Sequence, residues 1–217
     1  MARDQTAEVA TKKKSLHDSE RETERVKQLR EGYLGRVTSF IVSHLKFIDE
    51  SWINLSMTRL HGRATRGERV VEAIPIHRGT RLTILAAMGL SGVSAPWVIE
   101  GAVDGEVFEV YLKEVLGPTL ESGDIVVMDN LSVHKVGCVE AAINNCGARL
   151  EYLPPYSPDF NPIEKCWSKI KAALRTAKAR TVDELMAALK EALLTITEAD
   201  IRTWFAHCGY AIHSLGN

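Results

Sequence analysis

Four consecutive apolar residues, Ile125-Val126-Val127-Met128, end abruptly at Asp129. A run that short and that uniformly apolar suits a central strand covered on both faces, with its carboxyl end meeting solvent. The flanking sequence agrees. Glu106 to Leu116 carries apolar residues at 107, 108, 111, 112, 115 and 116, the spacing of a helix face, and His134 to Asn145 has helical composition. Ala148 to Leu153 reads as another strand. Strand, helix and strand then form a βαβ unit, which requires parallel pairing and helices against the sheet.

Upstream, Leu45 to Trp52 reads as a strand that turns polar at its end. Val70 to Ile76 and Arg81 to Met88 are two more strand candidates, joined by His77-Arg78-Gly79-Thr80 as a hairpin connection. The predicted order is βββαβαβα: an α/β fold whose mixed sheet has three antiparallel strands and then parallel ones, flanked by helices. Residues 1–40 are polar, with Lys12, Lys13 and Lys14 followed by a mixed-charge run from Asp18 to Arg30. They read as a partly helical arm with few apolar anchors, and residues 41–217 as the folded domain.

The formal net charge of -1 hides segregation along the chain. Arg59 to Arg81 holds six basic and two acidic residues, Lys165 to Arg180 six basic and none acidic, and Glu100 to Asp124 one basic and seven acidic. Basic stripes beside acidic surfaces fit a polyanionic partner as well as they fit solvated helix faces. The four cysteines never fall in a C-x-x-C pair, so neither a zinc knuckle nor a redox dithiol is indicated. No segment approaches the roughly 20 apolar residues of a membrane helix, and the first residues are charged where a secretory peptide is apolar. The expectation is a cytoplasmic protein without a membrane partner.

Pro154 to Pro162 is a proline-dense loop, stiff because each ring fixes its own φ. It leads into a helix predicted to start with Asn161 as N-cap, Pro162 at the first position and Glu164 at the third, with Ile163, Trp167, Ile170 and Leu174 on the apolar face. Thr181 to Glu184 and Thr197 to Asp200 open two later helices. Three carboxylates now stand at element ends: Asp49 after the first strand, Asp129 after the fourth and Glu164 in the first helical turn. In an open α/β sheet adjacent strands deliver such groups to one crevice. Oxygen ligands without thiol or imidazole neighbours suit Mg²⁺ or Mn²⁺, and two such ions clamp the attacking and leaving oxygens of a phosphoryl displacement.

Phe47-Ile48-Asp49-Glu50, the block from Met128 to His134, and the block from Pro155 to Trp167 resemble the three signature blocks of the mariner superfamily of DDE transposases, in its bacterial insertion-sequence branch. Thirty-four residues separate Asp129 from Glu164, the spacing familiar in that group. The resemblance spans about residues 40 to 205. It implies a ribonuclease-H-like catalytic domain with Asp49, Asp129 and Glu164 as ligands of two Mg²⁺ or Mn²⁺ ions. It also implies DNA nicking by hydrolysis, joining of the 3′-hydroxyl to target DNA, assembly as a homodimer on DNA, and action at the bacterial nucleoid. Members usually carry helix-turn-helix modules ahead of this domain, so a separately encoded DNA-reading half is expected. A catalytically silent remnant and a metal-dependent nuclease of the same fold are the alternatives.

Around the three carboxylates, Asn130, His134 and Glu50 are supporting candidates, Glu50 facing away from Asp49 if the strand alternates. Lys165, Lys169, Lys171 and Arg175 beside Glu164, with Arg63 and Arg66 in the earlier basic stretch, are the candidate DNA contacts.

Overall fold

A computed structural model of the chain describes residues 19–75, 79, 81–130 and 137–210. Five strands form one mixed sheet: β1 (Leu45–Ile53), β2 (Leu82–Gly89), β3 (Gly92–Glu100), β4 (Ile125–Met128) and β5 (Arg149–Tyr152), in the spatial order β3-β2-β1-β4-β5. β1, β2 and β3 pair antiparallel, whereas β4 is parallel to both β1 and β5. Six helices accompany them: α1 (Glu24–Val37), α2 (Gly105–Val110, continued by a π-helical turn over Tyr111–Leu116), α3 (Gly137–Asn145), α4 (Ile163–Ala177), α5 (Val182–Leu194) and α6 (Glu198–His207). This is the ribonuclease-H-like arrangement.

The predicted strand over Val70 to Ile76 does not form over its described part, residues 70–75; Ile76 and His77, Arg78 and Thr80 of the predicted hairpin connection lie outside the described residues. Residues 70–75 are irregular, with Val71 88% exposed, because no apolar surface receives their side chains. The third antiparallel strand is β3, which the sequence disguises with Gly92 at its start and Pro96 inside. Both have a place there. Gly92, at φ 135°, closes a two-residue turn opposite Gly89. Pro96 lies on an edge strand beside a register shift between Leu85 and Ala87, where a missing N–H costs no ladder bond.

Alternation along the strands sorts the core into two layers. Leu45, Phe47, Ile53, Ile125 and Val127 join α1, α4, α5 and α6 on one face. Ile48, Val126 and Met128 join α2 and α3 on the other. Helix α4 forms because Ile163, Cys166, Trp167, Ile170 and Leu174 recur at helical spacing, and all are buried. Capping boxes at Thr181–Glu184 and Thr197–Asp200 start α5 and α6 as predicted.

Residues 24–37 are helical, and the segment through Phe40 is not apart from the core. Tyr33 is fully buried, Val26, Val37 and Phe40 are nearly so, and Tyr33 stacks on Phe160 at 5.6 Å. Its hydroxyl lies 2.8 Å from that of Tyr210, which donates to the Phe160 carbonyl at 2.7 Å. A few large aromatic anchors suffice where the polar remainder of a helix faces solvent.

Candidate active site

The register of β1 against β4 pairs Leu45 with Ile125 and Phe47 with Val127. Two residues further along each strand stand Asp49 and Asp129, on the face covered by α4. Asp49 is not at the end of its strand: it is the fifth of nine residues in β1, at the point where the four-residue β4 stops and leaves a gap beside it. The crevice comes from the unequal lengths of two parallel strands.

Glu164 approaches from the first turn of α4. The predicted side-chain cap by Asn161 does not form there. Asn161 has extended φ and ψ (-105° and 98°), and its carbonyl receives the Glu164 N–H at 3.2 Å, but its side chain makes no cap bond and its Oδ1 is buried without a partner. Pro162, at φ -65°, leads directly into the helix. The Glu164 carboxylate is left for the cleft.

That cleft, about 550 Å³, is lined by Asp49, Asp129, Asn130 and Glu164, by the proline loop from Leu153 to Pro158 with Asn161, and by Arg25 of α1. Asp49 is held at both oxygens. Oδ1 accepts the Glu50 backbone N–H at 2.8 Å, and Oδ2 accepts the Trp167 indole N–H at 3.0 Å. Burial, followed by repulsion from Glu164, raises its pKa well above the usual carboxylate range, with Asp129 adding to the effect. Burial also raises that of Glu164, partly offset by Lys171, with Asp129 again repelling. Three carboxylates that repel one another in a partly desolvated cleft form a donor set that suits a hard divalent cation. Among the described residues no three acidic, imidazole or thiol groups stand in ready-made ligand geometry, so an ion would have to draw these side chains together.

Asn130 is exposed at the cleft, and Glu50 lies on the strand face opposite Asp49, contributing its backbone N–H to Asp49. His134 lies outside the described residues. Lys165 is exposed beside Glu164. Lys171 is half-buried near Glu164, its ammonium 5.6 Å from the centre of the Trp52 ring; desolvation lowers its pKa although Glu164 opposes this. Arg175 acts on the charge of Lys171 from the next turn. Lys169 bonds Asp200 at 2.6 Å and the Thr195 carbonyl at 2.9 Å, which ties α4 to α6. Arg63 and Arg66 are exposed in the connector between β1 and β2, and neither lines the cleft.

Several residues escaped the sequence reading. Trp167 reads as a core aromatic and is one, yet its indole N–H reaches Asp49. Arg30 reads as part of a solvated charge run, yet it makes two bonds to Asp159 at 2.7 and 3.1 Å and one to Ser157 Oγ at 2.6 Å, while its guanidinium lies 4.1 Å from the centre of the Phe160 ring. Arg21 joins the same carboxylate at 3.0 Å. The proline loop is thereby clamped from α1. No local pattern announces a contact across 129 residues of chain.

Known proteins show the same architecture. The chain superposes on a pre-cleavage Mos1 transpososome with TM-score 0.72 at 16% identity, over 96% of this chain and 69% of that one. On a Mos1 paired-end complex with the left transposon end the values are 0.71 and 18%, over 94% and 64%. On the isolated catalytic domain of Mos1 mariner transposase they are 0.63 and 16%, over 90% and 93%. The chain thus spans about two thirds of the Mos1 chains in these complexes and nearly all of the isolated catalytic domain. Compared by sequence with curated proteins, it matches none. Residues 44–186, which include all three carboxylates, match the DDE superfamily endonuclease family, and the chain belongs to that family.

Proposed function

We propose that Asp49, Asp129 and Glu164 are the catalytic carboxylates of a transposase, and that with Mg²⁺ or Mn²⁺ bound between them the chain hydrolyses a phosphodiester at a transposon end and joins the freed 3′-hydroxyl to target DNA. The observation that carries this is convergence: residues 80 and 35 positions apart in sequence line one cleft on one face of the sheet, close enough to repel one another. The Mos1 relatives include complexes with Mg and with Mn and a strand transfer complex, which supports the same chemistry here.

Asp49, Asp129 and Glu164 would hold the two divalent cations, which when bound would supply the positive charge that a phosphoryl displacement needs. The remaining work belongs to the chain. Trp167 and the Glu50 N–H fix the orientation of Asp49 and favour its ionised form against burial. The proline loop, braced by Arg30, sets where α4 starts and therefore where Glu164 projects. Lys171 keeps a positive charge behind the carboxylates, Asn130 lines the cleft, and Lys165 stands exposed next to Glu164, where a phosphate backbone would pass.

We infer further that pairing of two DNA ends takes two copies of the chain. Reading of the terminal repeat falls to a separately encoded helix-turn-helix half. Among the described residues no helix is long and apolar enough to cross a membrane. The setting that fits the reaction is the bacterial cytoplasm, at the nucleoid.

The test supplies Mn²⁺ or Mg²⁺ with pre-cleaved transposon-end DNA and measures strand transfer, alongside hydrolysis of an uncleaved duplex. Asp129→Asn keeps the shape and removes the ligand charge, so the rate should fall about a thousandfold, equivalent to about 4 kcal/mol of lost transition-state stabilisation. Product persisting at the wild-type rate in that variant would end the assignment.

A further inference from the structure

Four arginines, Arg21, Arg25, Arg30 and Arg36, lie on α1 and the turn that leads into it. Three are engaged with carboxylates: Arg21 and Arg30 with Asp159, Arg36 with Glu151 at 2.6 Å. Arg25 differs. It is exposed, it has no ion pair or hydrogen bond among the described residues, and it is the one lysine or arginine in the lining of the catalytic cleft. An arginine that lines the same cleft as three carboxylates and pairs with none of them remains available to another anion.

Its placement is not accidental to a loose helix. Val26, the next residue, is 5% exposed, and one to two turns further on Arg30 and Tyr33 tie α1 to the proline loop and to Tyr210. The backbone that carries Arg25 is therefore held at the rim of the cleft, so binding a ligand has to order the side chain but not the helix beneath it. A guanidinium fork matches the two free oxygens of a phosphodiester, and contact with the backbone carries no sequence preference.

On the reading of the cleft as a DNA-cleaving site, we propose that Arg25 is a substrate-binding residue: it holds a phosphate of the strand being cut and seats that strand against Asp49, Asp129 and Glu164. Helix α1 then belongs to the active site, and its other arginines serve to hold it there.

The experiment uses the whole chain and a labelled DNA duplex, with binding measured in EDTA across a salt series and cleavage measured in Mn²⁺. Arg25→Ala should flatten the slope of log K against log salt by about one, and lower kcat/KM by about tenfold, mostly through KM. Arg25→Lys should restore the slope but only part of the rate, because a point charge lacks the fork. Arg25→Glu should weaken binding further, and unchanged thermal unfolding of all three excludes a folding defect. A wild-type slope in Arg25→Ala overturns the proposal while leaving the function intact. Loss of slope in a chain that never cleaves DNA sustains Arg25 as a phosphate contact and removes the enzymatic reading instead. A wild-type chain that binds no duplex overturns both.

Discussion

Removing the Arg30 side chain should loosen the loop that aims Glu164, and the size of the effect follows from what the guanidinium touches. It makes a bidentate ion pair with Asp159, a bond to Ser157 and a stack on Phe160, with 15% of the Arg30 side chain exposed against 40% for Asp159. Exposed pairs couple by about 0.2 to 1 kcal/mol, and solvent at Asp159 holds this one near the top of that range despite its bidentate geometry. The ring contact adds about 1 kcal/mol, so Arg30→Ala should cost about 2 to 3 kcal/mol and lower Tm by roughly 5 to 10 °C.

Urea unfolding of wild type, Arg30→Ala, Asp159→Ala and the double variant should give a coupling of about 1 kcal/mol at neutral pH. The pH dependence has a definite sign. Burial alone would raise the Asp159 pKa, but the Arg30 hydrogen bond and the charges of Arg30 and Arg21 outweigh it and hold the carboxyl below its usual range. A depressed folded pKa stabilises above the unfolded value of about 3.9 and is lost as pH falls through the folded one. The coupling should therefore be full at neutral pH and vanish in strong acid. Coupling under about 0.3 kcal/mol at neutral pH, or coupling that survives in strong acid, would refute the reasoning.

Trp167→Phe removes one donor from Asp49, whose pKa burial and Glu164 already push up. A hydrogen bond to a charged group is worth about 1.5 to 3 kcal/mol, so the acid limb of the pH–rate profile for metal-dependent cleavage should move up by about one to two pH units, and a limb that stays put would show that the indole only packs. Tyr210→Phe strands the Tyr33 hydroxyl and the Phe160 carbonyl, a loss of about 1 to 3 kcal/mol by chemical unfolding. Lys169→Ala should reduce thermal stability yet leave the salt dependence of DNA binding unchanged, because its ammonium is committed to Asp200 and the Thr195 carbonyl; a flattened slope would place it at the DNA surface.

Local pattern carried much of the architecture. The apolar run at 125–128, the helical spacing of 163, 167, 170 and 174, and the capping residues at 181 and 197 each express their structure within a few residues, because strand burial, helix faces and caps are short-range effects. The same kind of reading placed Asp129 after a strand end and Glu164 at a helix start, whereas Asp49 reaches their cleft from the middle of β1, beside the point where the shorter β4 stops. It failed where the answer depended on a distant surface. Val70, Val71 and Ile74 have the composition of a strand but lie exposed, whereas β3 tolerates Pro96 because an edge strand spares the N–H. The capping oxygen of Asn161 stays unpartnered beneath a loop braced from α1. Whether an arginine of α1 braces the proline loop, pairs with Glu151 or faces the cleft depends on how that helix docks. Docking brings together groups more than a hundred residues apart, whose interaction leaves no mark on the sequence around either of them.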